Sequence, residues 1–378
     1  MGQGSITITH AGEHGPRLLL VEPYLTDSHL ALAQGLMDHV PARWSLVSLP
    51  GRFFRWRLRG AASLLAWEAA ELLAQPWDGM LCSSMLNLAE LRGLVPSLAT
   101  TPCLAYFHEN QLDYPAPGQA DERQKRRDLF LAFTNLTTAQ CAELVLFNSS
   151  FHRGQFMSAA RRLLQRLPDA QPRGLVSRIK LRSRVLPVPL AVPDPALLER
   201  RERFGPLRIV WNHRWEHDKG PEDFFAALAR LAQQGADFQV AVLGRRFARW
   251  PRVFDRAAQD LGERLVQLGW VEDRAQYWEW LAWGDVVVST AVQEYQGLAV
   301  AEAVWAGCRP LVPNAVVYPE LYPGHCRYRA GGLVEALADL AADPRAAREE
   351  NWRELVQGLT WQALGDAWRQ AIEEVSGV

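Results

Sequence analysis

VVVSTAVQEYQGLAVAEAVWAGCRPLVP, residues 286–313, reads as one complete strand–helix–strand unit. Val286–Ser289 opens with three successive valines, the profile of a strand buried on both faces. A polar loop follows, carries Glu294 and ends at Gly297. Leu298–Ala306 is apolar and helix-forming, and Gly307 suits the left-handed end of that helix. Arg309–Val312 starts a second buried strand. Two strands joined through one helix make a parallel pair.

The same alternation extends upstream. Leu207–Trp211, Phe238–Leu243 and Val266–Leu268 read as strands, with helices over Pro221–Gln234, Trp250–Leu261 and Tyr277–Ala282 between and after them. Residues 186–206 hold five prolines in 21 residues, poor in helix and strand formers, which marks a domain boundary. Before it the series runs again. Strands are expected at Leu18–Val21, Trp44–Leu49, Gly79–Cys82, Cys103–Phe107 and Leu144–Phe147. Helices are expected at Ser28–His39, Ala61–Ala74, Leu86–Leu94 and 122–140. A last helix covers Trp361–Val375. The reading is α/β: two doubly wound Rossmann-like domains, residues 18–188 and 207–359, with a linker over 189–206. Such a pair leaves a cleft at the carboxyl ends of its strands, suited to a transferase, a binding protein or an epimerase.

A chain of 378 residues accommodates two cores. Its hydrophobic fraction of 48% and charged fraction of 22% exclude a disordered or fibrous class. Apolar runs such as Leu18–Val21 are far too short to span a membrane. Residues 1–17, glycine-rich and without an apolar core, read as a disordered leader and not a signal peptide. Five scattered cysteines with no C-x-x-C pair fit reduced thiols in the cytoplasm and argue against a zinc site. Net charge is −1, but residues 1–190 carry 20 Lys+Arg against 15 Asp+Glu, and the remainder 21 against 27. A basic first half suggests a polyanionic partner.

Four constellations could carry chemistry. In 286–313, the entry loop and helix start present backbone N–H groups and a positive dipole to phosphate. Glu294 in the loop can accept from sugar hydroxyls, and Glu302, a turn inside the helix, can reach a ribose diol. In IVWNHRWEHDKGPEDF (209–224), Arg214 and Lys219 bracket a loop that enters a helix at Pro221; a guanidinium fork and an ammonium suit a diphosphate. The plainer reading is a surface ion-pair loop with Glu216 and Asp218. In CLAYFHENQLDYP (103–115), His108 directly follows a buried strand and could bond a hydroxyl or assist proton transfer, with Asn110 and Gln111 as acceptor readers. Lastly GRFFRWRLRG (51–60), ERQKRR (122–127) and RGLVSRIKLRSR (173–184) are basic. Arg52, Arg55, Arg57 and Arg59 alternate with Phe53, Phe54 and Trp56, and Lys125, Arg126 and Arg127 follow in the second segment. Such arrays bind phosphate backbones and stack unpaired bases. Amphipathic elements with solvated arginines would look alike. The motifs of P-loop kinases, serine hydrolases and zincins are missing.

Glu294 and Glu302, with seven residues between them, together with Arg214 and Lys219, resemble the donor motif of retaining glycosyltransferases of the GT-B fold. More narrowly the chain resembles the tRNA-queuosine mannosyltransferases, through SSMLNLAEL (83–91), YFHENQLDYP (106–115), VLFNSSF (145–151), VWNHRWEHDKG (210–220), GDVVVSTAVQEYQGLAVAEAV (284–304) and VYPELYP (317–323). Where the family tends toward a Gly-Gly-Ser-His turn, Leu25-Thr26-Asp27-Ser28-His29 stands here, and Asp27 adds a charge where small residues approach the ligand. The resemblance implies transfer of mannose from GDP-mannose to the cyclopentene-diol of queuosine at the wobble position of tRNA(Asp), without a metal. It implies that Arg214, Lys219 and the Gly297, Leu298 and Ala299 amides hold the diphosphate, and that Glu302 holds the ribose. Glu294 and His108 would position the hexose, and Gly244, Trp270 and Val271 would lie on the donor side. His29 and the basic residues would face the tRNA, and residues 360–378 would return to the first domain. Two alternatives stay open: a GT-B enzyme acting on a glycan, lipid or small molecule, and a non-catalytic RNA-binding protein on this fold.

Overall fold

The computed structural model describes residues 6–112, 122–198, 204–246 and 250–377. The chain divides into two units, Met1–Pro189 with Trp361–Val378, and Leu190–Thr360.

The first unit is built on seven strands: β1 (Thr7–Ala11), β2 (Arg17–Leu25), β3 (Arg43–Pro50), β4 (Gly79–Ser83), β5 (Cys103–Phe107), β6 (Leu144–Phe147) and β7 (Ser183–Val185). They lie in the order β1-β3-β2-β4-β5-β6-β7. All pair in parallel except β1, which runs antiparallel to β3. Strand order reverses between β2 and β4, so loops at their carboxyl ends diverge and open a ligand crevice. Strands β4, β5 and β6 are buried along their whole length, which explains their unbroken apolar runs.

The expectation of a disordered leader fails at β1. Thr7-Ile8-Thr9 is β-branched and pairs along the sheet edge, while Ile6 packs on the core. Gly12, at φ 76°, permits the return into β2, because a Cβ there would strike the Ala42 carbonyl. The aromatic–arginine stretch is also helical earlier than its pattern suggests. Phe54–Glu68 forms one helix and Ala70–Leu73 a short second one. Within 173–184, Leu175–Leu181 is a helix that buries Val176 and Ile179, and the segment ends in β7.

The last helix, Trp361–Ser376, buries Trp361, Gly365, Trp368, Ala371 and Ile372, a stripe at helical spacing. Trp361 lies against Gly35 of the helix Asp27–His39 and stacks on His39 at 4.8 Å. Trp368 meets Tyr106 and donates to the Pro187 carbonyl at 3.1 Å. Each large aromatic so buried contributes about 1.5–3 kcal/mol, which fastens this helix to the first unit.

The second unit has six parallel strands: β8 (Leu207–Trp211), β9 (Phe238–Leu243), β10 (Leu265–Gly269), β11 (Val286–Val288), β12 (Arg309–Pro313) and β13 (Arg327–Tyr328). Their order is β10-β9-β8-β11-β12-β13, with the reversal between β8 and β11. Trp211, Phe224, Phe238 and Phe254 fill its core. The two loops at the reversal are therefore 212–220 after β8 and 289–297 after β11. No helix among the described residues is long and apolar enough to cross a membrane.

Candidate active site

Those two loops are locked together. Gly220, at φ 60°, caps the helix Pro221–Gln233 and sits so close to Thr290 that a Cβ would strike its carbonyl. Thr290 Oγ1 donates to the Lys219 carbonyl at 2.8 Å, and the Val292 amide donates to the Asp218 carbonyl at 2.9 Å. Lys219 is consequently buried. Its Nζ lies 3.2 Å from Glu294 Oε2 and 3.2 Å from Asp218 Oδ2, and donates to the Gln293 carbonyl at 3.1 Å. Burial alone would lower the Lys219 pKa, but Glu294 and then Asp218 outweigh it and raise it. Burial alone would raise the Glu294 carboxyl; Lys219, the Gly297 amide and His213 instead bring it down to about 2. Both side chains are ionised throughout the neutral range.

Glu294 Oε1 accepts the amides of Tyr295, Gln296 and Gly297 at 3.1, 3.4 and 3.0 Å. Gly297, at φ 74°, then starts the helix Leu298–Trp305. The expectation that the Gly297 amide points to phosphate is corrected, since this N–H is taken by Glu294. Leu298 and Ala299 belong to the first turn, whose amides find no acceptor within the helix. Arg214 is half-exposed and pairs with Glu216 at 3.1 Å, and its charge is felt by Lys219. The ion pairs of a surface loop are thus present, but the buried Lys219–Glu294 pair goes beyond them.

Glu302 is held on both oxygens. Arg274 donates to Oε1 at 2.6 Å and Tyr277 Oη to Oε2 at 2.8 Å. Asn212 Nδ2 donates to Tyr277 Oη at 3.0 Å and to the Ala299 carbonyl at 2.7 Å, tying β8 to the helix. Burial, then the Glu302 charge, push the Tyr277 hydroxyl well above its ordinary pKa, so it remains a donor. Tyr277, Asn212 and Arg274 escaped sequence reading because the helix Arg274–Trp283 meets the residue after β8 only in the folded chain. Gly244, at φ 146°, abuts the His213 carbonyl. Trp270 is half-exposed under the Arg245 guanidinium at 4.6 Å, and Val271 is buried.

In the first unit, His108 follows β5 and stacks on His29, ring centroids 3.8 Å apart and planes at 18°. His29 Nδ1 lies 2.8 Å from Glu22 Oε2. Burial, with His29 and His152 nearby, pushes the His108 pKa well below the ordinary imidazole range. His108 is therefore a neutral hydrogen-bonding ring at pH 7, which weakens its expected use as a proton carrier. Glu22, His29 and His108 offer donor atoms within 4.8 Å of one another, a grouping with metal-ligand chemistry. Asn110 is wholly buried, and its Oδ1 accepts the Leu112 amide at 3.1 Å. It closes a turn from a fully buried position, which does not suit the expected acceptor reading. Gln111 is half-buried and anchored by its amide to Asn135 Oδ1 at 2.7 Å.

The basic segment 51–60 divides between exposed and buried positions. Arg52 and Arg59 are exposed and Arg55 half-buried, each over an aromatic ring: Phe53, Phe130 and Phe54 respectively. Phe53 and Trp56 are 72% and 60% exposed. Arg57 is only 5% exposed, and burial followed by Arg52 lowers its pKa, so it does not belong with the surface arginines. The side chains of Lys125, Arg126 and Arg127 lie outside the described residues.

Residues 17–190 match the family model "tRNA-queuosine alpha-mannosyltransferase N-terminal", and residues 206–343 match "Glycosyl transferases group 1". A Drosophila melanogaster protein named tRNA-queuosine alpha-mannosyltransferase is 33% identical over 349 residues, 89% of each chain. The chain belongs to the tRNA-queuosine alpha-mannosyltransferase family. It is a hexosyltransferase of the GT-B fold. Among solved structures, sucrose-phosphate synthase from Thermosynechococcus elongatus aligns with a TM-score of 0.66 at 14% identity, covering 96% of this chain and all of that one. A UDP-forming alpha,alpha-trehalose-phosphate synthase from Burkholderia xenovorans aligns with 0.65 at 14%, covering 96% and 100%. At such identity these two speak for the fold alone.

Proposed function

We propose that the protein transfers mannose from GDP-mannose to the cyclopentene-diol of queuosine at the wobble position of tRNA(Asp), in the cytoplasm and with retained configuration. The observation that carries this reading is the buried Lys219–Glu294 pair beneath the first turn of Leu298–Trp305. A fixed ammonium beside a helix N-terminus is preorganised for a diphosphate, and its carboxylate partner is fixed beside it for a sugar.

In this reading Arg214, Lys219 and the Leu298 and Ala299 amides stabilise the diphosphate as the anomeric C–O bond breaks. These cations supply the charge stabilisation without calling on a metal. Glu294 orients the hexose, and Glu302, set by Tyr277, accepts the ribose hydroxyls. Gly244, Trp270 and Val271 line the donor base. The acceptor hydroxyl attacks from the face the diphosphate leaves and passes its proton to the departing phosphate oxygen, without a nucleophile from the protein. His108 supplies a neutral imidazole to a hydroxyl of the reacting partners. On the first unit His29, Gln111, Arg52, Arg55 and Arg59 serve the tRNA, with Lys125, Arg126 and Arg127 adding charge. Phe53 and Trp56 offer stacking faces to unpaired anticodon-loop bases.

Nucleoside mass spectrometry of queuosine-tRNA incubated with each nucleotide sugar tests the proposal. A hexose mass added to queuosine only with GDP-mannose is expected. Hydrolysis of donor with queuosine left unmodified points to another acceptor, and no donor turnover with intact tRNA binding points to a non-catalytic RNA-binding role.

A further inference from the structure

Glu22 lies at the carboxyl end of β2, on the crevice side of the strand reversal, yet is only 4% exposed. A buried carboxylate is costly unless its oxygens are engaged. Here Oε1 accepts the Tyr24 amide and the Ser83 hydroxyl, both at 2.9 Å, and Oε2 meets His29 Nδ1 at 2.8 Å. The side chain that meets its second oxygen is His29, itself buried. His29 in turn covers one face of the His108 ring at 3.8 Å. A cavity of about 10 Å³, room for roughly one water, is lined by Glu22, His29, Ser83, Tyr106 and His108 among others.

We propose that Glu22 is a positioning residue of the transferase: its carboxylate holds His29 as the tautomer protonated on Nδ1, and His29, by stacking, fixes the ring of His108. This rests on the role given above to His108. With Oε1 occupied by two donors, Oε2 faces the imidazole as an acceptor, so Nδ1 carries the proton and Nε2 is left as a lone pair. The stack then limits the rotation of His108, whose backbone carbonyl is separately held by Asn148 Nδ2 at 2.9 Å.

A metal bound by Glu22, His29 and His108 fits less well. Imidazole lone pairs lie in the ring plane, and two rings stacked at 18° send them side by side and not to one centre. Both Glu22 oxygens are also already engaged by protein donors.

Glu22→Gln reverses the tautomer while keeping the volume. The Tyr24 amide and Ser83 hydroxyl draw the Gln oxygen, which turns its NH2 toward His29 Nδ1 and moves the ring proton to Nε2. In ¹⁵N-histidine NMR of the full chain, His29 should carry its proton on Nδ1 in the wild type and on Nε2 in Glu22→Gln. Transfer kcat should fall on the order of 10–100-fold, as when a group that orients a functional histidine is lost. KM for GDP-mannose should change less than about two-fold, and Glu22→Gln/His29→Ala should be no slower than His29→Ala. Wild-type His29 protonated on Nε2, a flipped tautomer with kcat unchanged, or stoichiometric zinc binding that is lost in His29→Ala overturns the proposal. The NMR readout is independent of activity. Wild-type rates in His108→Ala would instead sink the role assigned to His108, and an unmodified queuosine the acceptor assignment.

Discussion

Lys219 Nζ and Glu294 Oε2, 75 residues apart in sequence, lie 3.2 Å apart in a buried pair that joins the loops after β8 and β11. With the Thr290–Lys219 and Val292–Asp218 hydrogen bonds, it holds together the carboxyl ends of the two strands that flank the sheet's reversal. It also sets a cation and an anion in fixed positions where the fold binds ligands.

Removing one member of a buried pair leaves the other charge uncompensated, at a cost of about 3–5 kcal/mol. Lys219→Met and Glu294→Gln should each lower unfolding free energy, Lys219→Met by an amount in that range. The double variant should recover much of the Lys219→Met loss in denaturant titration while remaining inactive. Recovery of activity along with stability would mean that the pair is structural only.

Arg214 is half-exposed, and so is its partner Glu216. Arg214→Ala should keep its thermal midpoint within a few degrees and lose about 10²–10³-fold in kcat, the effect of deleting one group that stabilises a developing anion. Arg214→Lys should restore little, since an ammonium lacks the guanidinium fork.

Tyr277→Phe removes one donor to the Glu302 carboxylate. Hydrogen bonds to charged groups are worth about 1.5–3 kcal/mol. If Glu302 holds the ribose, KM for the donor should rise roughly ten-fold with kcat nearly unchanged. A kcat loss at constant KM would place Tyr277 in the chemical step.

Stability should fall with acid in two windows. Burial lowers His152 from 6.5 to about 3 and, aided by Lys219, His213 from 6.5 to about 4. Below pH 6.5 the unfolded chain takes up these protons before the folded one does, so stability rises with pH across that interval and is fully present above it. Glu294, lowered from 4.5 to about 2, adds a contribution present above 4.5 and lost as pH falls toward 2. The denaturation midpoint should therefore drop between pH 7 and 5, and His152→Gln should flatten the slope.

If Arg52 and Arg59 meet phosphates, replacing both with Gln should reduce the slope of log K against log salt by roughly 0.7–0.9 for each arginine–phosphate pair removed. Trp56→Ala should weaken RNA binding by about 1–3 kcal/mol at every salt concentration with the slope unchanged. Filter binding across a salt series separates the two effects.

The alternation of apolar runs gave away the two parallel sheets, because strands such as Cys103–Phe107 are buried on both faces. β1 stayed hidden, since an exposed edge strand needs no apolar run and its Thr-Ile-Thr pattern is short. Glu294, Lys219 and Arg214 were legible as charges placed just after strands. That Lys219 pairs with Glu294, and that Glu294 takes the Gly297 amide, depends on loop packing at Gly220 and Thr290, which no local pattern encodes. For the same reason Glu22 passed as the end of a strand, and Arg57 as one more exposed arginine among four.

The most direct measurement is calorimetric titration of GDP, UDP and guanosine into the wild type and Arg214→Ala. The account predicts that the diphosphate that binds the wild type binds Arg214→Ala at least ten-fold more weakly, while guanosine binds both alike. Equal affinity of the two proteins for that diphosphate would contradict it.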